Sequence, residues 1–498
     1  MSNYFALGVD GRLADRESKT LEVKRDLSSP DGPLRTLVAF ANSAGGRLVV
    51  GVADDGTVVG VDDPLAEEER ITSLINDRIS PQLVPAIDLV TLRDKTVLIV
   101  DVPLSTRRPH HITRLGPEAG VYVRLGSTTR QADPALVAEL ERNARGIAFE
   151  GLPEPRAAFE DLDLEVLSKL RGRSTSVADL LALGLAVKQG DQIVPTNAGI
   201  LASCPDPTRF HPSAWVQCGR LRGPHGTDIF DQTEIHGPMP LAVDHAVEFL
   251  LKHAYKTAVF GQVRRRDIYS IPIEPIREVI VNALVHASYA ERGTPIRVGF
   301  YDDRIQVDSP GLLLPGMTID TMRRVSRLRN PALARIFREA GIMEQWGTGV
   351  QRVFEQVAEA GLPEPIIEEI QDRVRVTIYI PSHDPQQDTA HGAREPEGEA
   401  QKPRDHNHPE HTYTHSNVGR YDVVMMRAAA QGPVHRNALL EAAGLKPLSQ
   451  NYTRHVVPLV NRGLLAMTVP DKPRSKAQRY ILTAEGRAYL RHLTEGSE

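Results

Sequence analysis

The chain has 498 residues, a net charge of -5 and a pI near 6.4, so it is too long for one ordinary core and is not basic overall. Its 41% hydrophobic and 25% charged content is typical of globular proteins. The sequence lacks a secretory leader and any run of about 18 apolar residues, so we expect a cytoplasmic protein without membrane contact. Two cysteines, Cys204 and Cys218, exclude a disulfide framework or a cysteine metal cage.

Residues 1–148 predict one α+β domain. The segment "GGRLVVGVADDGTVVGVDD" predicts a strand that begins at glycine, an Asp-Asp-Gly turn and a short return strand. The runs "PLAEEERITSLINDRIS" and "PALVAELERNA" predict helices, the second begun by Asp133-Pro134. Between them, "AIDLVTLRD" and "KTVLIVDVP" predict two further strands.

The remaining chain divides into a connecting α/β segment (149–239), a second domain (240–381), a linker (382–420) and a C-terminal module (421–498). The second domain opens with the helical pattern "PMPLAVDHAVEFLLKHA". Residues 382–420 contain no Leu, Ile, Phe, Met or Trp, which indicates a disordered linker because little apolar surface can offset the entropy of ordering. The expected fold class is therefore α+β multidomain. The residues expected on one side of the opening helix are Leu241, Val243, Val247, Leu250 and Leu251.

The run "IREVIVNALVHASY" (276–289) predicts a helix with one apolar side and one polar pair. Glu278 and Asn282 are four residues apart, so both project from the same face. A carboxylate there can orient a water, and an amide oxygen can coordinate Mg²⁺. An ordinary polar helix face is the alternative, since this spacing is frequent by chance. The predicted apolar side comprises Ile276, Ile280, Ala283, Leu284 and Ala287.

Two glycine motifs follow this helix. "RIQVDSPGLLLPG" predicts a strand that turns at Pro310-Gly311, and "EQWGTGVQRV" places Gly347 and Gly349 at the start of a helix, where backbone N–H groups can approach a phosphate. This order resembles the ATP-binding fold of the gyrase, Hsp90, histidine-kinase and MutL (GHKL) superfamily. It is most similar to the variant (HATPase_c_4) of bacterial ATP-binding regulators, in which "RNPALARIF" precedes "EQWGTGVQRV".

This resemblance implies a site for ATP with Mg²⁺ and a weak ATPase activity. Glu278 would be the base for water, Asn282 the Mg²⁺ ligand, and Gly311, Gly347, Thr348 and Gly349 would contact the nucleotide. Superfamily members usually carry an aspartate before the strand-end glycine, which accepts from the adenine amino group. Here Ser309 stands in that place, and Asp308 is expected to face the opposite side of the strand, which leaves hydrolysis and adenine recognition open. No P-loop motif occurs.

The C-terminal module shows three helical patterns, "YDVVMMRAAAQ", "HRNALLEAAG" and "SQNYTRHVVPLVNRG", followed by two strands joined by a basic loop. This layout predicts a winged helix that binds DNA, and its loop resembles the wing of the same bacterial regulators. A winged helix used for protein contacts or dimerisation is the alternative. Base edges would be contacted by Gln450, Asn451 and Arg454, and phosphates by Lys472, Arg474, Lys476 and Arg479.

The segment "ESKTLEVKRD" (17–26), with "AFANSAGG", "GVADDG" and "GVYVRLGSTTRQAD" downstream, resembles the Schlafen domain of the AlbA_2 type. Schlafen nucleases use two glutamates and one aspartate. By position these are Glu17, Glu22 and Asp54 (Asp55 as the fallback), with Lys24 nearby. Three converging carboxylates can hold Mg²⁺ or Mn²⁺, which activates water, and a lysine can stabilise the phosphate charge. The implied activity is metal-dependent cleavage of RNA, including tRNA, or of DNA.

The alternative for this domain is nucleic-acid binding without cleavage. Chains with this three-part layout are usually described as ATP-binding transcriptional regulators. We therefore expect a DNA-binding regulator whose nucleotide state gates nucleic-acid binding, with RNA as a second possible partner and a homodimer or higher homo-oligomer as the assembly. The Schlafen-type nuclease is the alternative function. The basic residues available for nucleic acid in the first domain are Arg107, Arg108, Arg114, Arg124 and Arg130.

Overall fold

The computed structural model describes most of the first 381 residues and parts of the C-terminal module. The described ranges are 12–92, 94–223, 226–254, 256–260, 265–291, 293–344, 349–381, 420–430, 432–445, 452–456, 459–460, 464–468, 478–483, 486–487 and 490. Two compact units are present, Met1–Ala393 and Arg394–Glu498. Their division falls inside the predicted linker, whose residues 382–419 lie outside the described ranges. None of the described helices is long and apolar enough to cross a membrane.

The first part of the larger unit is built on a four-stranded sheet. Its elements are β1 (Leu21–Lys24), α1 (Asp31–Asn42), β2 (Gly46–Val50), α2 (Pro64–Arg78), β3 (Ile79–Ser80), β4 (Ala86–Leu92), β5 (Lys95–Val102), β6 (His111–Ile112), α3 (Gly116–Ala119), β7 (Tyr122–Leu125), β8 (Thr128–Gln131) and α4 (Pro134–Ala144). The strand order is β1-β2-β5-β4, with β1 and β2 parallel. The central residues of β2 and β5 are apolar in succession because both faces of the sheet are covered: Leu48 and Leu98 pack in one cluster, Val49 and Ile99 in another.

Local signals in this part are largely confirmed. Helix α4 begins at the predicted Asp133-Pro134 pair, and α2 begins at a second pair of this kind, Asp63-Pro64. The carboxylates of Asp63 and Asp133 accept from the N–H groups of Ala66 and Leu136. The predicted return strand after the Asp-Asp-Gly turn is reduced to one bridge between Val52 and Val58. The predicted turn is therefore confirmed, but the strand pairing that follows it is shorter than the sequence predicts.

The second part contains a mixed six-stranded sheet of order β12-β11-β15-β16-β18-β17, in which only the described pair β11–β15 is parallel. The elements are α5 (Leu164–Arg171), α6 (Val177–Leu183), β9 (Ala186–Gln189), β10 (Gln192–Pro195), α7 (Asn197–Ser203), β11 (Val216–Arg222), β12 (Asp228–Ile235), α8 (Met239–His253), β13 (Lys256–Phe260), β14 (Arg265–Tyr269), α9 (Ile273–His286), β15 (Ile296–Phe300), β16 (Arg304–Pro310), α10 (Ile319–Met322), α11 (Pro331–Glu339), α12 (Gly349–Glu359), β17 (Ile366–Ile370) and β18 (Arg373–Tyr379). Because β11 and β12 join this sheet, the boundary placed at 239/240 passes through one sheet and one core.

Helices α8 and α9 pack in that core. All five residues of the predicted apolar side of α9 are buried. On α8, Val243 and Leu250 are buried as predicted, but Leu241 is 37% exposed. Ala246 and Phe249 complete the buried face of α8 instead. The helical period is confirmed, and the buried stripe is rotated toward Ala246 and Phe249.

The C-terminal unit has its own small core. Its described elements are α13 (Arg420–Ala430), α14 (Arg436–Ala442), β19 (Leu465–Met467) and β20 (Tyr480–Leu482), with a turn of π-helix over Tyr452–Val456. The antiparallel pair β19–β20 matches the predicted strand-loop-strand pattern. The core residues include Met425, Met426, Leu439, Leu440, Val456, Leu465 and Leu482.

Candidate functional site: a cavity above the mixed sheet

A cavity lies between α9 and the mixed sheet. Three polar side chains of α9, Glu278, Asn282 and His286, line it. They stand four residues apart in succession, so they share one face of the helix and span about 12 Å along its axis. Most other lining residues are apolar, among them Val307 and Val376 of the sheet. A mainly apolar cavity with a line of polar groups is typical of a small-molecule site.

Glu278 lies against the start of α12 at one end of the cavity. The Nδ2 of Asn282 donates to Glu278 Oε1 over 3.1 Å. Burial raises the pKa of Glu278, and the hydrogen bond from Asn282 offsets this only in part. A Cβ at Gly349, the first residue of α12, would lie 1.9 Å from the same oxygen. Glycine at 349 therefore lets a carboxylate with a raised pKa reach a helix N-terminus, an arrangement suited to a general base beside a phosphate.

Asp308 and Ser309, near the end of β16, face opposite sides of the strand. Ser309 lines the cavity and donates its hydroxyl proton to the Ala283 carbonyl over 2.9 Å. Asp308 is buried on the other side, where its oxygens accept from Nε and Nη2 of Arg375 at 2.6 and 2.7 Å. The prediction that Asp308 faces away from Ser309 is confirmed. Gly311, which also lines the cavity, has a φ of +95°, so it makes the turn that a side chain would strain.

The far end of the cavity contains residues that the sequence did not single out. Arg329, from "RNPALARIF", lines it beside His286. Burial and the charge of Arg329 lower the pKa of His286 to about 4, so this imidazole is neutral at pH 7. The next residue, Asn330, donates from Nδ2 to the carbonyls of Val285 and Ala287 at 2.9 and 2.8 Å. Asn330 therefore fixes the C-terminal end of α9 beside the cavity.

The predicted phosphate loop is only partly within the described residues. Gly349 is described, and Gly347 and Thr348 are not. Glu278, Asn282, Gly311 and Gly349 are brought together around one cavity, as the resemblance implied.

The acidic residues of the first part form an ion-pair group on β1 and the segment before it. Lys24 Nζ lies 2.6 Å from Glu22 Oε1 and 3.7 Å from Glu17 Oε1. Arg124 Nη1 contacts the second oxygen of Glu22 at 2.8 Å. Glu17, Glu22 and Lys24 are therefore neighbours, and two cations hold Glu22.

Two predicted residues of this group have other surroundings. Asp54 lies exposed in the turn after β2. In the described part of the chain, no three His, Cys, Asp or Glu side chains are grouped so that they could hold a metal ion. The side chain of Arg124 is 1% exposed and also donates to the Ser18 carbonyl over 2.6 Å, so its assignment to nucleic acid is wrong. Arg130 on β8 is exposed, and its contact with nucleic acid stays a prediction.

A buried ion pair joins the two parts of the larger unit. Lys19 Nζ lies 2.6 Å from Glu369 Oε2, and the two side chains are 10% and 3% exposed. Glu369 Oε1 also accepts from the N–H of Leu313, which lines the cavity, over 2.9 Å. Burial lowers the pKa of Lys19, and the charge of Glu369 opposes this change. One carboxylate on β17 thus connects the cavity loop with the segment that precedes β1.

Three family models match separate parts of the chain. Residues 17–133 match "Schlafen, AlbA_2", and residues 293–378 match "Putative ATP-dependent DNA helicase recG C-terminal". A Schlafen AlbA_2 segment thus precedes a recG-type ATPase-like segment. Residues 423–483 match "Filamentation induced by cAMP protein Fic-like, C-terminal domain".

Two solved structures are similar to parts of this chain. The crystal structure of the DIP2311 protein from Corynebacterium diphtheriae is 20% identical, with 75% of this chain and 78% of that chain covered and a TM-score of 0.38. The solution structure of the N-terminal domain of the "Putative ATP-dependent DNA Helicase RecG-related Protein" from Nitrosomonas europaea is 30% identical. It covers 24% of this chain and 86% of that chain, with a TM-score of 0.20. No curated protein matches the chain.

The matched segments divide the candidate residues unequally. The recG-type match starts at residue 293, so it includes Ser309, Gly311, Arg329 and Gly349 but leaves out α9. The roles of Glu278 and Asn282 therefore depend on the cavity geometry. The AlbA_2 match includes every acidic residue of the proposed triad. It also includes the buried Arg124 and the exposed Arg130.

The predicted DNA contacts of the C-terminal unit are mostly outside the described residues. These are Gln450, Asn451, Lys472, Arg474 and Lys476. Only the backbone of Arg454 is described, in the turn before Val456. Arg479, beside β20, donates from Nη1 to the Gln478 carbonyl over 3.0 Å. The winged helix and its DNA contacts stay predictions.

Proposed function

We propose that this protein is a nucleotide-gated regulator of transcription. A purine nucleotide with Mg²⁺, which the resemblance implies is ATP, binds in the cavity along α9. The Schlafen AlbA_2 segment and the C-terminal unit contact DNA, with RNA as the alternative partner, and the protein works as a homo-oligomer. The bound nucleotide changes the affinity for nucleic acid.

The residues around the cavity fit such a nucleotide. The Nδ2 of Asn282 is used by Glu278, whereas its amide oxygen makes no hydrogen bond within the described residues and can coordinate Mg²⁺. Mg²⁺ would neutralise phosphate charge. The carboxylate of Glu278 would accept a proton from water, for which its raised pKa is suited. The N-terminus of α12 at Gly349 would donate to phosphate oxygens.

The observation that carries the gating proposal is the double role of Glu369. It binds Leu313 of the cavity loop and Lys19 of the AlbA_2 segment at the same time. A ligand can shift an equilibrium only through contacts that differ between two states. A nucleotide that moves the cavity loop changes the surroundings of Glu369, and that change reaches Lys19 directly.

A thermal-shift experiment tests the nucleotide site. Mg²⁺ with ATP should raise the unfolding temperature of the full chain, because a ligand that binds only the folded state stabilises it. Asn282→Ala should abolish this shift. Glu278→Gln should retain it while removing any phosphate release. An unchanged unfolding temperature with ATP, ADP and GTP would contradict the proposal.

A metal-dependent nuclease is the second candidate function. The observation in its favour is that Glu17, Glu22 and Lys24 converge within hydrogen-bonding or ion-pairing distance. Against it, both oxygens of Glu22 face cationic side chains, which compete with a metal ion for the same lone pairs.

A further inference from the structure

Arg329 carries two donor nitrogens, Nε and Nη1, for which the described lining of the cavity provides no acceptor. Its side chain is 10% exposed, and Nη2 lies 3.1 Å from Glu139 Oε1 and donates to the Leu312 carbonyl. Nε and Nη1 are buried, and neither has a hydrogen-bond partner among the described residues. A buried donor without an acceptor is destabilising, because it has lost its hydrogen bonds to water and gained none in return. A ligand that places acceptors at this end of the cavity would satisfy these donors.

The surroundings of Arg329 fix its place in the cavity. A Cβ at Gly311 would lie 2.2 Å from Nη1, so glycine at 311 is what allows the guanidinium to pack there. Arg329 and His286 lie at one end of the polar face of α9, and Glu278 with Gly349 lies at the other. Phosphates belong at the Gly349 end, where a helix N-terminus begins. The base of a bound nucleotide therefore belongs at the Arg329 end.

The base end of the cavity offers the unpaired donors of Arg329, and no carboxylate of the described lining lies there. Asp308 is committed to Arg375 on the other face of β16, and Ser309, whose proton goes to the Ala283 carbonyl, offers a neutral hydroxyl oxygen as an acceptor. Of the described lining residues, only Glu278 and Glu344 carry carboxylates. Glu278 is at the phosphate end, and Glu344 pairs with Arg352 near it. The carboxylate beside Arg329, that of Glu139, is paired with Nη2 and is not among the lining residues of this cavity, so an adenine amino group would meet a neutral acceptor such as Ser309 instead.

We propose that Arg329 reads the nucleobase and makes the cavity prefer a 6-oxopurine nucleotide over an adenine nucleotide. In guanine and hypoxanthine, O6 and N7 are adjacent acceptors that match a guanidinium, whereas adenine replaces O6 with an amino donor. The inference rests on the proposed nucleotide site and changes only the base that this site selects. Arg329 is thus a specificity-determining residue, with no part in phosphate chemistry.

Calorimetric titration of the full chain with the Mg²⁺ complexes of GTP, ITP and ATP tests the proposal. ITP separates the O6 and N7 contacts from the amino group of guanine. GTP and ITP should bind roughly tenfold more tightly than ATP, the effect of one further hydrogen bond to a charged group. Arg329→Lys keeps the charge that faces Glu139 but removes the planar pair of donors, so it should bring the affinities for ITP and ATP close together.

Arg327→Lys is the matched control. Arg327 lines the same cavity but is exposed, and its Nη1 already donates to the Pro315 carbonyl over 2.7 Å. The ITP preference should survive this change.

Each outcome decides one part of the proposal. ATP binding as tightly as ITP to the unaltered chain would overturn the base assignment and leave the nucleotide site intact. An ITP preference that persists in a folded Arg329→Lys variant would overturn the role of Arg329. No binding of any of the three nucleotides would remove the proposed site together with this inference. The ranking on the unaltered chain is decisive even where the variant does not fold.

Discussion

The carboxylate of Glu278 occupies the space that a Cβ at Gly349 would need, since such an atom would lie 1.9 Å from Glu278 Oε1. Gly349→Ala should therefore displace Glu278 and weaken nucleotide binding. It should also cost about 1–3 kcal/mol of stability, as overpacking of a buried site does. Unfolding and nucleotide titration of the single variant would measure both effects.

A double variant distinguishes this clash from a general helix effect. Combined with Glu278→Ala, the alanine at 349 should no longer clash, and most of the lost stability should return. Gly151→Ala is the control, because a Cβ there meets no atom within 4 Å. Destabilisation that persists without the Glu278 side chain would show that the clash has another cause.

Glu150 gives the larger unit a pH-dependent stability. Its buried carboxylate accepts from the N–H groups of Ala332 and Leu333 at the start of α11, at 2.5 and 2.9 Å. Burial raises its pKa to about 7 from an ordinary value of 4.5. The folded state therefore holds this proton more tightly than the unfolded state, and the contribution of Glu150 to stability falls as the pH rises from about 4.5 to about 7.

Glu150→Gln should remove that dependence, because an amide does not titrate. Other groups also titrate here, since burial raises the pKa of Glu291 to about 8 and lowers that of His211 to about 4. The informative quantity is thus the difference in unfolding temperature between the variant and the unaltered chain at each pH. This difference should shift in favour of the variant as the pH rises, and a constant difference would contradict the assignment.

The acidic group of the AlbA_2 segment should not cut nucleic acid. We expect the protein to bind tRNA, single-stranded DNA and duplex DNA without cleaving them, both in the presence of Mn²⁺ and in the presence of a chelator. The double variant Glu17→Ala with Asp54→Ala tests the triad, because both side chains are exposed. Glu22 is left unaltered, since its loss would leave the buried Arg124 without its carboxylate partner. Binding should be unchanged or tighter when two negative charges are removed.

The matched control for this variant is Glu69→Ala with Asp94→Ala, which removes the same two charges from exposed positions. Cleavage that requires Mn²⁺, is lost in the Glu17 and Asp54 variant and survives in the control would make the nuclease the primary function.

The basic loop of the C-terminal unit should contact phosphates. Replacing Lys472, Arg474, Lys476 and Arg479 with glutamine should weaken binding to all duplexes. It should also flatten the dependence of log affinity on log salt by roughly 0.9 for each lost phosphate contact. Arg454→Ala should instead relax sequence preference. Affinity and salt slope that do not change would favour a protein-contact domain.

The sequence identified features that local patterns encode. The shared face of Glu278 and Asn282 follows from the helical period, and the separation of Asp308 from Ser309 follows from the alternation of a strand. The sequence could not predict that Arg124 is buried, because an arginine has the same local pattern on a surface and in a buried ion pair. The contact of Lys19 with Glu369 joins residues 350 positions apart, so no local pattern in the sequence predicts it. For the same reason, β11 and β12 were not recognised as part of the cavity sheet.

The affinity for duplex DNA with and without Mg²⁺-ATP tests the gating claim most directly. In the unaltered chain the nucleotide should change this affinity by about fivefold or more. In Lys19→Met with Glu369→Gln, both buried charges are removed together, and an amide oxygen can still accept from the N–H of Leu313. This variant should still bind nucleotide, but its affinity for DNA should no longer respond to it. Lys169→Met with Glu165→Gln removes an exposed pair of the same residue types and should leave the response intact. An equal nucleotide response in all three proteins, or none in the unaltered chain, would contradict the account.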